Sequence, residues 1–304
     1  MGNQDTIYME VGTPPQPVNA IVRVTSSELV LVDGACGTKA LDCPSYCREP
    51  AFLNLYCNPN CRTVTDVEWP LVCVEANFRP FLFLSNESSS FEVVHSDWKA
   101  QYSGYKPLYG NLAADRVQFD DAEFENGSWV GQPYAVERLE FGQVLLGDPG
   151  LFLGIGVMSG VITAIFGLGP GDRSFASQLF RAGLVPQPLI SMVGFNDRRF
   201  PSGMLVGELN EFSCTNWTWF PAVDPKSWTL EVTSIKLMGV EVEGPKTVVA
   251  NPIGLYNYVP NSVMRRLERE YDVRPLPFVK HCLSEGSFCY SAPCGTSLSL
   301  DFDS

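Results

Sequence analysis

Apolar and polar residues alternate from the start of the chain. Ile7, Met9 and Val11 point one way between polar neighbours, and Ile21, Val22, Val24 and Leu29 to Val32 follow as denser apolar runs. A period of two predicts strands with one buried face, so residues 7–32 are expected to form a core strand pair. Residues 33–73 break the pattern with cysteine and proline. Alternation returns over 78–119, marked by Phe78, Phe81, Phe83, Phe91 and Val93. Pro149 to Gly171 carries no charge and is long enough to suggest a membrane span. Its many glycines and the β-branched Val161-Ile162-Thr163 fit two buried strands joined by a glycine turn better. Ser174 to Ala182 then predicts a short helix, capped by Ser174 and ended by Gly183 in the left-handed conformation. Thr247 to Ala250 predicts an apolar strand, Asn261 to Tyr271 a helix, and Ser297 to Phe302 the start of a strand. The expected class is all-β with few short helices.

Length and composition narrow the possibilities. A chain of 304 residues suggests two domains of about 150 residues each. At 45% hydrophobic residues, each can bury a core. The net charge of −13 argues against nucleic acid, because a phosphate-binding surface needs clustered Lys and Arg. The acidity is read as solubility.

Ten cysteines fall in two even groups. Cys36, Cys43, Cys47, Cys57, Cys61 and Cys73 crowd the first quarter; Cys214, Cys282, Cys289 and Cys294 lie in the last third. Even counts suit disulfides closed within each half, although six cysteines allow 15 pairings and none is assigned. Zinc is the rival reading, since Cys43 and Cys47, and Cys57 and Cys61, form short pairs. Sequons at Asn86, Asn126 and Asn216 join the cysteines in favouring glycosylation on a secretory or vacuolar route. The polar Met1-Gly-Asn-Gln-Asp5 is not a signal peptide.

One motif carries chemistry. Val11-Gly-Thr-Pro-Pro-Gln16 leads through Ile21-Val22 into Arg23-Val-Thr-Ser-Ser-Glu-Leu29. This resembles the opening of the pepsin-like aspartic peptidases, where Val-Gly-Thr-Pro-Pro-Gln precedes an apolar strand ending in Asp-Thr-Gly-Ser-Ser. The resemblance puts Arg23 at the position of the first catalytic Asp. Those enzymes hold one water between two carboxylates about 3 Å apart, which share a proton because both cannot ionise; they are the usual illustration of that effect. Arg23 stays protonated and has no acceptor, so it cannot be a general base.

The second half repeats the loss. Trp228 to Ile235 and Met238 to Val240 resemble the strands before the second Asp-Thr-Gly, and Asn251-Pro-Ile253 stands where that triplet belongs. Asn251 does not titrate as a carboxylate does. Asp33-Gly34 is the nearest substitute, but it comes ten residues too late and lacks the hydroxyl residue between.

Further anchors extend the resemblance over nearly the whole chain. Gln101-Tyr-Ser-Gly-Tyr105 resembles the flap hairpin that closes over substrate, with Tyr102 or Tyr105 as the flap tyrosine or as an ordinary strand aromatic. Ala164-Ile-Phe-Gly-Leu-Gly169 resembles the apolar-apolar-Gly strand that passes behind the first catalytic loop. Ser174 to Leu184 and Ser202 to Glu208 match further family segments. The family also places a small disulfide loop where Cys36 and Cys43 fall. The resemblance implies a bilobal fold: an N-terminal β lobe over 1–190, with a cysteine-rich insertion and a flap-like hairpin, and a C-terminal β lobe over 191–304. Because the family continues past this point, the second lobe is expected to be truncated and incomplete.

The functional expectation is a catalytically inactive homologue that binds a peptide or protein in an interlobe cleft, an inhibitor being one concrete form. The alternative is an active aspartic-type endopeptidase working at acidic pH. Arg23 would either attract an acidic ligand group or pair with a neighbouring acid such as Glu28, and the second is preferred. His95 and His281 show no triad or metal pattern. No metal and no cofactor are expected.

Overall fold

In the computed structural model of the chain, the described residues are 6–34, 82–102, 107–120, 123–125, 128–130, 133–146, 163–193, 203–209, 217–224, 227–237, 240–241, 247–250, 265, 268–269, 274–275, 290–291 and 298–301. They are mostly strand, with one helix, so the all-β class is observed. Contacts divide the chain into two units, Met1–Thr215 and Asn216–Ser304.

The first unit is built on β1 (Thr6–Val11), β2 (Gln16–Arg23), β3 (Val30–Val32), β4 (Glu92–Ala100), β5 (Leu108–Asp120), β6 (Glu123–Glu125), β7 (Ser128–Val130), β8 (Pro133–Leu146) and β9 (Ala164–Gly167). Helix α1 (Phe175–Arg181), β10 (Ile190–Val193) and β11 (Gly203–Val206) follow. The sheet order is β1-β2-β9-β3-β8-β5-β4, and β5 also pairs back onto β1 through Met9↔Phe119 and Val11↔Val117. Six strands therefore close into a barrel, with β4 added outside β5. Closure leaves the six without a free edge. The expected boundary near residue 190 falls at the start of β10, whereas the division lies between Thr215 and Asn216, so the β10–β11 pair belongs to the first unit.

The barrel follows from the alternation. Met9, Val11, Val18, Ala20 and Ile21 of the first hairpin are buried, as are all of β3 and β9. Phe119, Phe166 and Phe175 form one cluster, with Phe175 5.0 Å from each of the other two rings. This seats α1 on the barrel. Gln178 reinforces it, accepting from Glu140 N at 2.7 Å and donating to Glu140 O at 3.0 Å on β8. The Ser174 side chain caps the helix by accepting from Ser177 N, and Gly183 takes φ +70 past its end, as the sequence predicts.

The Gly-Thr-Pro-Pro-Gln segment is the β1–β2 turn. Gly12 has φ +94 and Thr13-Pro14 is cis. Gln16 reaches across the turn to Leu84, accepting from its N–H at 2.8 Å and donating to its C=O at 3.0 Å. One amide side chain thus satisfies both backbone groups of a residue 68 positions away.

β4 departs from simple alternation. Glu92 to Asp97 are all exposed, Val93 to 49%, and the pairing with β5 is broken by irregularities on both sides of His95. A strand added outside a closed barrel has only one covered face, and its first half projects beyond even that.

In the second unit, β12 (Thr229–Glu231) pairs with β15 (Thr247–Val249), and β13 (Ser234–Leu237) pairs with β14 (Val240–Glu241) and β18 (Leu298–Asp301). β16 (Arg274–Pro275) pairs with β17 (Tyr290–Ser291). The expected apolar strand at 247–250 is a strand, but Val249 is 53% exposed, because no described element packs over it. Of the helix expected at 261–271, residues 265, 268 and 269 are helical and the remainder lies outside the described residues.

Candidate functional site

Arg23 is the last residue of β2, registered against Gly167 of the parallel strand β9. β9 lies between β2 and β3. The loop Val24–Leu29 crosses over its exit, pinned into the core by buried Val24 and Leu29. Leu168 N donates to Arg23 O at 2.8 Å, and Gly169 N donates to Ser26 O at 2.7 Å. Glycine is required at this crossing: a Cβ on Gly167 would lie 2.4 Å from Glu28 O and 2.5 Å from Ser26 O. The apolar-apolar-Gly sequence therefore encodes a close backbone approach that fixes the loop after Arg23.

The Arg23 side chain is half-buried, and its Nε is buried with no hydrogen-bond partner. Among the described residues it makes no ion pair. The expected Arg23–Glu28 pairing is therefore not what forms. Glu28 accepts from Trp98 Nε1 at 2.7 Å through Oε2 and pairs with Arg173 at 3.2 Å through Oε1. The reason is the indole: Trp98 is 4% exposed, lies over the backbone of Gly142, and needs an acceptor for its N–H. Glu28 supplies it and turns its second oxygen to Arg173.

Tyr102 completes the site. It follows β4 at the tip of the β4–β5 hairpin, and its ring packs on the cluster containing Ile21, Val30, Trp98 and Ile165. Its hydroxyl is 3.1 Å from Ser26 Oγ. Burial pushes the phenol above its ordinary value, against the Ser26 hydrogen bond, while the Glu28 charge raises it and the Arg23 charge lowers it. Arg23 and Tyr102 thus share one electrostatic environment. Of the two tyrosines singled out from sequence, Tyr102 meets the loop; Tyr105 lies outside the described residues.

Asp33 has a different job from the one considered for it. It sits past the far end of β3, 1% exposed, and its Oδ2 accepts from Gln143 Nε2 at 2.7 Å and from Ser85 N at 3.4 Å. These bonds join the end of β3 to β8 and to the Ser85–Glu87 turn.

His95 is exposed on β4, and Asn86 is exposed in the short 3-10 turn Ser85–Glu87. Asn251, His281, Asn126, Asn216 and all ten cysteines lie outside the described residues. Among the described residues, no group of three or more His, Cys, Asp or Glu is arranged to hold a metal. No helix among them is long and apolar enough to cross a membrane.

Sequence reasoning missed Trp98, Ser26 and Arg173. Gly142 was the available signal, because a glycine inside a long strand marks close approach by another group.

Chemically the site offers donors: a guanidinium, a phenol and a serine hydroxyl. Those donors suit an anion, and among the described residues the Glu28 carboxylate is already engaged by Trp98 and Arg173. No model of a known protein family matches the chain, and a search of the curated proteins finds no relative.

Proposed function

We propose that the chain is a non-catalytic homologue of the pepsin-like aspartic peptidases, bilobal in plan, that holds a peptide or protein segment without cutting it. The observation that carries this reading is Arg23 at the end of β2, at the strand crossing where the family resemblance expects the first carboxylate. A permanent cation there removes the general base. The closed six-stranded barrel, the Gly12–Gln16 turn and the glycine crossing at Gly167 support a retained scaffold around a changed site. The cysteines and sequons support a secretory or vacuolar setting, where inhibition of a hydrolase is one form the binding could take. Fold likeness alone does not transfer a reaction, so the site decides.

Incubation of the protein with a random peptide library tests this reading, with retained peptides identified by mass spectrometry. Enrichment of intact peptides on the protein is expected. Failure to retain any peptide, or retention only of cleaved fragments, would overturn the proposal.

A further inference from the structure

Resting on that reading, we infer that Arg23 is the anchor for a carboxylate group of the bound peptide. The argument begins with charge. Glu28 is the acid closest in sequence to Arg23, and its two oxygens are engaged by Trp98 and Arg173. Arg23 is left with a buried Nε that donates to nothing and no ion pair among the described residues. A buried N–H of a charged group left without an acceptor is costly, and a matching anion removes that cost.

The geometry selects the kind of anion. The end of β2 is fixed by the Gly167 register and by the Leu168–Arg23 backbone bond, so the base of the side chain is preorganised. A guanidinium presents a planar fork that a carboxylate meets with two parallel hydrogen bonds. Ser26 lies three residues past Arg23 on the loop that follows it, its hydroxyl 3.1 Å from that of Tyr102, and the Arg23 charge acts on that phenol. The chain as a whole carries −13, so it does not attract polyanions at long range. A single acid on a largely neutral peptide fits that balance. Two sources present this chemistry: an Asp or Glu side chain, and a peptide C-terminus.

The experiment has two arms. In the first, the 15Nε–1Hε signal of Arg23 is identified by its loss in Arg23→Gln. The unmodified protein is then titrated with N-acetylglutamate α-amide, N-acetylglutamine α-amide, N-acetylalanine and sodium chloride at matched ionic strength. A saturable shift with a carboxylate probe, absent with the glutamine probe and with chloride, is expected. A shift shared by chloride means an adventitious ion only and overturns the inference, as does no shift at all.

The second arm measures binding of library-derived peptides in Glu/Gln pairs, each with a free or amidated C-terminus. The acid-bearing member should bind about tenfold more tightly, with the preference reduced in Arg23→Lys and lost in Arg23→Gln. The free-terminus and Glu pairs tell the two sources apart. Equal binding of acid and amide members overturns the carboxylate anchor while leaving peptide binding standing. A saturable carboxylate shift without peptide binding upholds the anchor and overturns the peptide reading instead.

Discussion

Trp98 Nε1 donates to Glu28 Oε2 at 2.7 Å, and this bond determines which charges are left over at the end of β2. It ties the added strand β4 to the loop that follows Arg23, and it engages Glu28, the acid nearest to that cation in sequence.

Two substitutions at Glu28 separate these roles. Glu28→Gln keeps an acceptor for the indole and loses only a partly exposed ion pair with Arg173, so the expected cost is at most about 1 kcal/mol. Glu28→Ala leaves the buried Trp98 N–H unsatisfied, with an expected cost of about 1–3 kcal/mol. Urea midpoints at unchanged slope check the order. Equal losses for the two variants would show that the Trp98 bond contributes little.

The crossing at Gly167 makes a sharper contrast. Gly167→Ala puts a methyl group within 2.6 Å of three backbone atoms of the 26–28 loop, none of which can rotate away. Overpacking of this kind costs about 1–3 kcal/mol or more. Gly183→Ala meets nothing within 4 Å and suffers only its positive φ, an expected loss of about 1–2 kcal/mol. Thermal unfolding of the two variants should rank Gly167→Ala as the less stable. The reverse order would remove the close approach from the account.

Tyr102 predicts an alkaline dependence. Its folded-state pKa lies above its ordinary value of 10.0, chiefly because of burial. Between the unfolded and folded values the native state retains a proton that the unfolded chain has lost, so stability falls as pH rises through that window; below 10.0 the contribution is fully present. Tyr102→Phe abolishes this term. Denaturant unfolding between about pH 9 and pH 11 should show a steeper decline for the unmodified protein than for the variant. Parallel curves would mean that the phenol is not buried as described.

What the sequence made legible was local. The period-two run at 7–11, the Ser174 cap, the left-handed Gly183 and the apolar Ala164–Gly167 strand are each written within a few residues, and each is found. Partner choice was not legible. Glu28 lies five residues from Arg23 in sequence, yet it is claimed by Trp98, 70 positions on, and by Arg173, 145 positions on. Only the tertiary arrangement of the strands brings those groups together. Exposure was not legible for the same reason at Val93 and Val249: both lie in segments read as strands from their apolar residues, but burial depends on what covers a strand. Asp33 showed the converse. Its sequence position hinted at chemistry, while the fold spends it on Gln143 and Ser85.

The central claim is that no water is activated at Arg23, and isotope transfer tests it most directly. The protein is mixed in stoichiometric amounts with a peptide library in H2 18O, from about pH 3 to about pH 8, and every peptide carboxyl is read by mass spectrometry. The account predicts intact peptides without incorporated 18O throughout. Shortened peptides carrying one 18O in each new terminal carboxylate, their formation blocked by a statine-type inhibitor, would contradict it.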